Sequence, residues 1–120
     1  MNLRMSDNNQ SQFLLFKADG GAVHVNVRLE GETVWLTQAA MAALFDVAPQ
    51  NITMHLQNIY ADKELSQDST CKDFLQVQKE GNREVSRRLK HYNLDAIIAV
   101  GYRVNSKRAT QFRIWATAVL

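Results

Sequence analysis

The sequence has few of the features that mark secreted or membrane proteins. Its 120 residues include one cysteine, Cys71, so no disulfide can form within the chain, and a lone thiol is typical of a reducing cytoplasm. No apolar run is long enough to span a bilayer. The opening segment, MNLRMSDNNQSQ, is polar and lacks the apolar centre of a signal peptide. We therefore predict a cytoplasmic protein with no membrane partner.

Residues that would catalyse a reaction or hold a metal are also sparse. The three histidines, His24, His55 and His91, are far apart in the sequence, and none has a second ligand at the spacing of a metal site. No Ser-His-Asp order, paired-carboxylate motif or phosphate-cradling loop stands out. We predict that the protein is not an enzyme and that it uses no cofactor and no metal.

Positive charge is missing from one stretch of the chain and concentrated in another. The formal net charge is +2, yet no Lys or Arg occurs between Arg28 and Lys63. Residues 1–80 hold six basic and ten acidic residues, whereas residues 81–120 hold eight basic and two acidic ones. This asymmetry indicates either an anionic partner for the second half or a solvated basic face that has no partner.

The first third of the chain predicts a polar tail followed by short strands. We expect residues 1–12 to form a disordered tail and residues 13–120 to form one domain, because an apolar content of 46% suffices for a core. Ala22–Leu29 alternates apolar and polar side chains, which predicts a half-buried strand. With Phe13–Phe16 and Thr33–Leu36, it predicts a small N-terminal antiparallel sheet.

A helix-turn-helix is predicted at roughly Thr37–Tyr60. Thr37 suits the N-cap of an alanine-rich helix, and Asp46 can adopt the left-handed conformation that ends it. Pro49 suits the first turn of a second helix, whose apolar face consists of Ile52, Leu56 and Ile59. The alternative is an ordinary helical hairpin whose outer face is merely polar.

The second half predicts a hairpin and two further helices. Cys71–Lys79 and Glu84–Tyr92 are strand-like runs separated by a segment that contains the turn pair Gly-Asn. A hairpin in this position predicts the wing of a winged helix-turn-helix. Asn93 should cap a helix that ends near Gly101, and Ser106 should cap a last helix with an apolar stripe of Phe112, Trp115 and Val119. The predicted fold class is α+β.

The predicted site follows from this fold. The second helix would lie in a major groove, where Asn and Gln pair with adenine and Thr and Met contact thymine methyl groups. Its candidate base-contacting residues are Gln50, Asn51, Thr53, Met54 and Gln57. Because the helical pair has no cation, phosphates would be contacted by the hairpin and the last helix. The candidate residues there are Arg83, Arg87, Arg88, Lys90, Lys107, Arg108 and Arg113.

Two segments of the sequence resemble a known family. VRLEGETVWLTQAAMAALFDVAPQNITMHLQNIY and HYNLDAIIAVGYRVNSKRATQFRIWATAVL closely resemble the bacterial virulence-associated RhuM family, with Tyr92–Asp95 and Val100–Ser106 as the most specific motifs. The second segment is also distantly similar to the Bro-N and KilA-N domains of phage antirepressors. In those domains a Gly-Tyr-Arg-like segment precedes a helix with a Phe-x-x-Trp pattern, here Phe112 and Trp115. The resemblance implies a DNA-binding module, and one that is a fragment of a longer protein.

From these observations we predict a sequence-specific module that binds double-stranded DNA in transcriptional regulation or in a phage-derived switch. Helix-turn-helix proteins often bind as dimers, so a homodimer is left open. The alternative function is a protein-interaction or oligomerisation module that serves a further C-terminal region.

Overall fold

Two small antiparallel sheets and five helices form an α+β fold in the part of the chain that the structure describes. This computed structural model describes residues 2–4, 13–18, 21–26, 28–30 and 33–119. The strands are β1 (Asn2–Arg4), β2 (Phe13–Ala18), β3 (Gly21–Asn26), β4 (Arg28–Glu30), β5 (Thr33–Thr37), β6 (Cys71–Glu80) and β7 (Arg83–Asn93). The helices are α1 (Gln38–Phe45), α2 (Pro49–Ala61), α3 (Gln67–Thr70), α4 (Leu94–Arg103) and α5 (Lys107–Val119).

The first sheet has the strand order β1-β2-β3 and corrects the predicted tail. The sequence predicts a disordered tail over residues 1–12, but Asn2–Arg4 pairs with β2, with Leu3 opposite Leu14. Pairing along β2 gives the backbone N–H and C=O groups of this polar segment partners that its composition does not reveal. Residues 5–12 lie outside the described residues.

The second sheet has the order β4-β5-β7-β6 and leads the chain into the helices. The single strand predicted over Ala22–Leu29 is wrong, because β3 pairs with β2 whereas β4 pairs with β5 in the other sheet. A period-two pattern indicates that side chains alternate between two faces, but it does not indicate which strand is the partner. The same pattern can therefore continue from a strand of one sheet into a strand of another. β5 lies beside β7, where Leu36 is opposite Tyr92.

The two predicted helices between Thr37 and Tyr60 are confirmed, with a short turn between them. The Thr37 hydroxyl accepts a 3.1 Å hydrogen bond from the Ala40 N–H at the start of α1. Asp46 ends α1 in the left-handed conformation, with φ 57° and ψ 52°. Pro49 opens α2, where its missing N–H leaves no helical hydrogen bond unmade.

The predicted hairpin is confirmed along its whole length. β6 and β7 pair without interruption from Cys71 opposite Tyr92 to Glu80 opposite Arg83. Gly81 takes the first turn position with φ +63°, a conformation that glycine adopts without strain. The hairpin therefore extends as a two-stranded arm beyond the part of the sheet in which β5 pairs with β7.

The helix predicted to end at Gly101 continues instead to Arg103. Gly101 is buried within α4, where an added Cβ would lie 2.9 Å from Cδ1 of Phe112 and 3.1 Å from Cζ of Phe45. The two rings meet edge to face, with their centroids 5.1 Å apart. The missing side chain of this glycine makes room for the two rings, so Gly101 serves the packing of α1, α4 and α5 and not a helix end.

The core lies between the helices and one face of the second sheet. Ser106 accepts a 3.0 Å hydrogen bond from the Ala109 N–H, which confirms it as the cap of α5, and donates to the Phe45 carbonyl at 2.7 Å. Phe112 is buried as predicted, while the side chains of Trp115 and Val119 lie outside the described residues. Among the residues whose side chains the structure describes, the largest fully buried ones are Phe45, Phe112, Leu36, Met41, Leu44, Ile52, Ile59, Ile97, Val100 and Val104.

Candidate nucleic-acid interface

The outer face of α2 is an uncharged polar stripe. Neither α1 nor α2 contains a Lys, Arg, Asp or Glu residue. Gln50 and Gln57 are exposed, and Met54 is 47% exposed between them. Their spacing of four and three residues places all three on one side of the helix. Two amides and a thioether are therefore presented to an outside partner.

The other two candidates on α2 lie at the edges of this stripe. Thr53 is half-buried, and its hydroxyl donates to Oε1 of Gln38 at 2.8 Å and to the Pro49 carbonyl at 3.2 Å. Asn51 is half-buried, and its Oδ1 accepts no hydrogen bond from the described residues. The Thr53 hydroxyl is thus engaged within the protein, which leaves its methyl group as the part that could contact a base.

Gln38 joins α2 to the hairpin strand. It accepts from Thr53 through Oε1, and its Nε2 donates to the Tyr92 hydroxyl at 3.0 Å. Burial raises the pKa of Tyr92 further above neutral, so the hydroxyl is protonated. No motif in the sequence singles out Gln38. Its partners are 15 and 54 residues away along the chain, so no local pattern marks it.

The pleat of β7 divides the four predicted hairpin cations into two pairs. Tyr92 faces the helices, and side chains alternate between the two faces along a strand. Arg88 and Lys90 therefore project from the face that carries Tyr92, whereas Arg83 and Arg87 project from the opposite face. All four side chains are exposed.

The two faces also differ in what surrounds the cations. On the face away from α2, Nε of Arg87 lies 3.0 Å from Oε1 of Glu80, in an exposed ion pair. On the face that carries Tyr92, Arg88 stands opposite Leu75 and Lys90 stands opposite Asp73. Arg88 and Lys90 form no ion pair with any residue that the structure describes.

The predicted arginines of the last helix are engaged at the ends of neighbouring helices. Nη1 of Arg108 donates to the Ala43 carbonyl in the last turn of α1 at 3.0 Å. Nη1 of Arg113 donates to the carbonyls of Gly101 and Val104 at 2.8 and 3.0 Å, where α4 ends. Carbonyls in a last helical turn lack partners within the helix, so both arginines act as caps. Lys107 is exposed in the first turn of α5.

Burial shifts the pKa values of His55 and Cys71, two titratable groups close to this region. Burial, aided by the Arg103 charge, lowers the pKa of His55, so its ring is neutral near pH 7. Burial raises the pKa of the Cys71 thiol. A raised pKa disfavours the thiolate, which is the reactive form of cysteine. Cys71 thus has the environment of a structural residue and not that of a nucleophile.

Within the described ranges, no group of three or more His, Cys, Asp or Glu residues is placed to hold a metal ion. The described helices include none with the length and apolar character needed to cross a membrane. Among the described residues, the outer stripe of α2 and the β6–β7 hairpin both present exposed side chains with useful recognition chemistry.

Residues 69–120 match a known protein family. That family is described as the Virulence protein RhuM family, and the matched segment includes the β6–β7 hairpin, α4 and α5. The match confirms the family resemblance on the segment that contains Tyr92–Asp95 and Val100–Ser106. No curated protein and no solved structure matched the chain. The likeness to Bro-N and KilA-N domains stays a prediction.

Proposed function

Taking the RhuM family relationship of residues 69–120 as the premise, we propose that this protein is a non-enzymatic, sequence-specific module that binds double-stranded DNA. In this proposal α2 lies in the major groove and β6–β7 is the wing of a winged helix-turn-helix. One observation carries the proposal. Gln38 bonds both Thr53 and Tyr92, so the uncharged stripe of α2 and the Arg88–Lys90 face of the hairpin are held together.

The connection between the helices and the hairpin supports this architecture. A wing can contact DNA beside a recognition helix only if both are fixed to one support. β5 leads directly into α1 and pairs with β7, with Leu36 opposite Tyr92. Both residues are buried in the core, at 1% and 3% exposure, so the base of the hairpin is firmly anchored.

The proposed contacts divide between the two elements. Gln50 and Gln57 offer amides that can pair with adenine, and Met54 offers apolar contact to a thymine methyl group. Arg88 and Lys90 would contact phosphates, which supply affinity without reading sequence. Of the other five predicted cations, exposed Lys107 at the start of α5 stays a candidate phosphate contact, and we leave the remaining four out. Nη1 of Arg108 and Nη1 of Arg113 donate to carbonyls, which holds both guanidinium groups against the ends of neighbouring helices, and the pleat turns Arg83 and Arg87 away from α2.

The test is a binding titration on random duplex DNA over a range of salt concentrations, followed by selection of the preferred site from a random pool. Affinity should fall steeply with salt. Gln50→Ala should weaken binding to the selected site by about 1–3 kcal/mol and leave random DNA nearly unaffected. Gln67→Ala, which changes an exposed glutamine on α3, is the matched control. Absence of duplex binding at low salt would refute the proposal, and so would equal weakening of every duplex by Gln50→Ala.

A second candidate function is a protein-interaction module. It is favoured by two large apolar side chains on the hairpin, Leu75 at 58% and Val77 at 48% exposure. Neighbouring exposed apolar residues are typical of protein contact surfaces. The salt titration separates the two functions, because a module that only binds proteins would show no salt-dependent affinity for random duplex DNA.

A further inference from the structure

The hairpin strand β6 forms an edge of the second sheet. Its ten residues pair with β7 on one side, and no described strand pairs with the other side. The middle of this edge carries the exposed side chains of Leu75 and Val77. A long edge strand with an apolar centre is a template for a further strand.

The backbone groups available for such pairing can be identified from the turn. Glu80 and Arg83 flank the two-residue turn and are therefore a hydrogen-bonded pair. Because hydrogen-bonded and non-hydrogen-bonded pairs alternate, the odd-numbered residues of β6 direct their N–H and C=O groups to the open edge. The Leu75 carbonyl accordingly accepts a long, exposed hydrogen bond of 3.3 Å from Arg28, which a pairing strand would replace.

We propose that β6 pairs with β6 of a second copy of this chain, antiparallel, about a two-fold axis at Gln76. In this register Lys72 lies opposite the partner's Glu80, and Asp73 lies opposite the partner's Lys79. Leu75 lies opposite the partner's Val77, on the face where both are exposed. Because of the two-fold symmetry, each contact between two different residues occurs twice, as in a closed dimer.

The charges select this register over its neighbours. Only the odd-numbered residues direct backbone groups to the open edge, so each of them must pair with an odd-numbered residue of the partner. The two neighbouring registers that meet this condition place the two-fold axis at Leu75 or at Val77. With the axis at Leu75, Lys72 would face Gln78 and Asp73 would face Val77. With the axis at Val77, Asp73 would face Gly81 and Leu75 would face Lys79. Charges on an edge strand generally oppose pairing, but at the Gln76 register each charge meets its opposite.

Gln76 supplies an independent observation at the axis itself. Its Oε1 is buried and accepts no hydrogen bond from the described residues, which is unfavourable for a buried acceptor. At the axis the two Gln76 residues would form a non-hydrogen-bonded pair, the type in which facing side chains are closest. Each side-chain amide could then donate to the other's oxygen.

The proposal does not depend on DNA binding, and it is tested by sedimentation of the purified chain from micromolar to several hundred micromolar concentration. We expect a concentration-dependent monomer–dimer equilibrium, because an interface of one strand pair is small. Lys72→Glu and Glu80→Lys should each weaken self-association by about tenfold, since each places like charges opposite one another twice. An equimolar mixture of the two variants should regain association, because the mixed dimer has opposite charges at both positions. Lys63→Glu is the charge-reversal control outside β6.

A proline variant tests the edge by a different route. The Val77 N–H points to the open edge, so Val77→Pro blocks pairing with a second copy while the ladder to β7 keeps its hydrogen bonds. Circular dichroism and thermal melting report whether the fold is retained, and if it is lost the charge variants decide. A chain that stays monomeric throughout the range overturns the proposal. A dimer that survives a folded Val77→Pro variant, or a mixture of charge variants that stays dissociated, also overturns it.

Discussion

The alternation of side chains along β7 predicts which hairpin cations contact DNA, and the cations on the opposite face of the strand serve as the control. Four exposed cations lie on one strand, two on each face. We predict that the double change of Arg88 and Lys90 to Gln weakens binding to every DNA sequence. The same change at Arg83 and Arg87 should leave binding nearly unchanged, although it removes the same formal charge from the same strand.

The magnitude follows from counterion release. Each phosphate contact contributes a slope of about 0.9 to the dependence of log K on log salt, so losing two contacts should lower the slope by about 1.8. A hydrogen bond to a charged group contributes roughly 1.5 kcal/mol, or about tenfold in affinity for each residue. Arg87 starts from an ion pair with Glu80, which makes it less available to a phosphate than Arg88.

The assay is fluorescence anisotropy on a labelled random duplex, repeated over a series of salt concentrations. Urea unfolding of both double variants checks that the fold is kept, and exposed substitutions of this kind should change the unfolding free energy by no more than about 0.5 kcal/mol. If the change at Arg83 and Arg87 lowered the slope as much as the change at Arg88 and Lys90, the assignment of faces would be wrong. If neither change lowered it, the hairpin would not be a wing.

Three further predictions concern stability. Gln38→Leu should lower the unfolding free energy in urea by about 1–3 kcal/mol, because half-buried Thr53 and buried Tyr92 lose the partner that their hydroxyls share. Burial lowers the pKa of His91 in the folded chain below its ordinary 6.5, so the unfolded chain binds more protons as pH falls past that value. The stability that neutral His91 contributes should therefore be fully present above pH 6.5 and decline below it. His91→Phe should reduce this decline when the unfolding free energy is measured in urea at several pH values. Overpacking by Gly101→Ala should lower the unfolding free energy by about 1–3 kcal/mol. The better helix propensity of alanine should offset up to ~1 kcal/mol of that loss. A calorimetric melting point no lower than that of the parent chain would contradict this expectation.

The features that were predicted correctly depend on short-range interactions. Thr37 and Asn93 cap helices by accepting from the N–H three residues ahead, and Asp46 ends a helix by its own backbone conformation. Pro49 acts at its own position in the chain. Such signals are complete within a few residues, so the sequence contains all the information they need.

The features that were predicted wrongly depend on partners far away in the sequence. Gly101 looks like a helix end locally, but its role is set by Phe45, which lies on another helix. Asn2–Arg4 looks like a tail, but β2 gives it a pairing edge. Apolar and polar residues alternate over Ala22–Leu29, yet this segment contributes to two strands that lie in different sheets. In each case the local pattern is compatible with two structures, and a tertiary contact decides between them.

The candidate site shows the same limit in its electrostatics. The basic excess after residue 80 is a property of the sequence, and the positive field it creates persists in the fold, because bonding to a carbonyl does not neutralise a guanidinium. The hydrogen bonds of an arginine, unlike its charge, fix where its guanidinium group lies. Arg108 and Arg113 are bonded to carbonyls, and Arg103 donates to Glu64 at 2.8 Å. These contacts hold the three guanidinium groups against their own fold, so we expect direct phosphate contact mainly from residues that make no such bond, such as Arg88 and Lys90. The salt dependence of binding should therefore correspond to fewer phosphate contacts than the count of basic residues suggests.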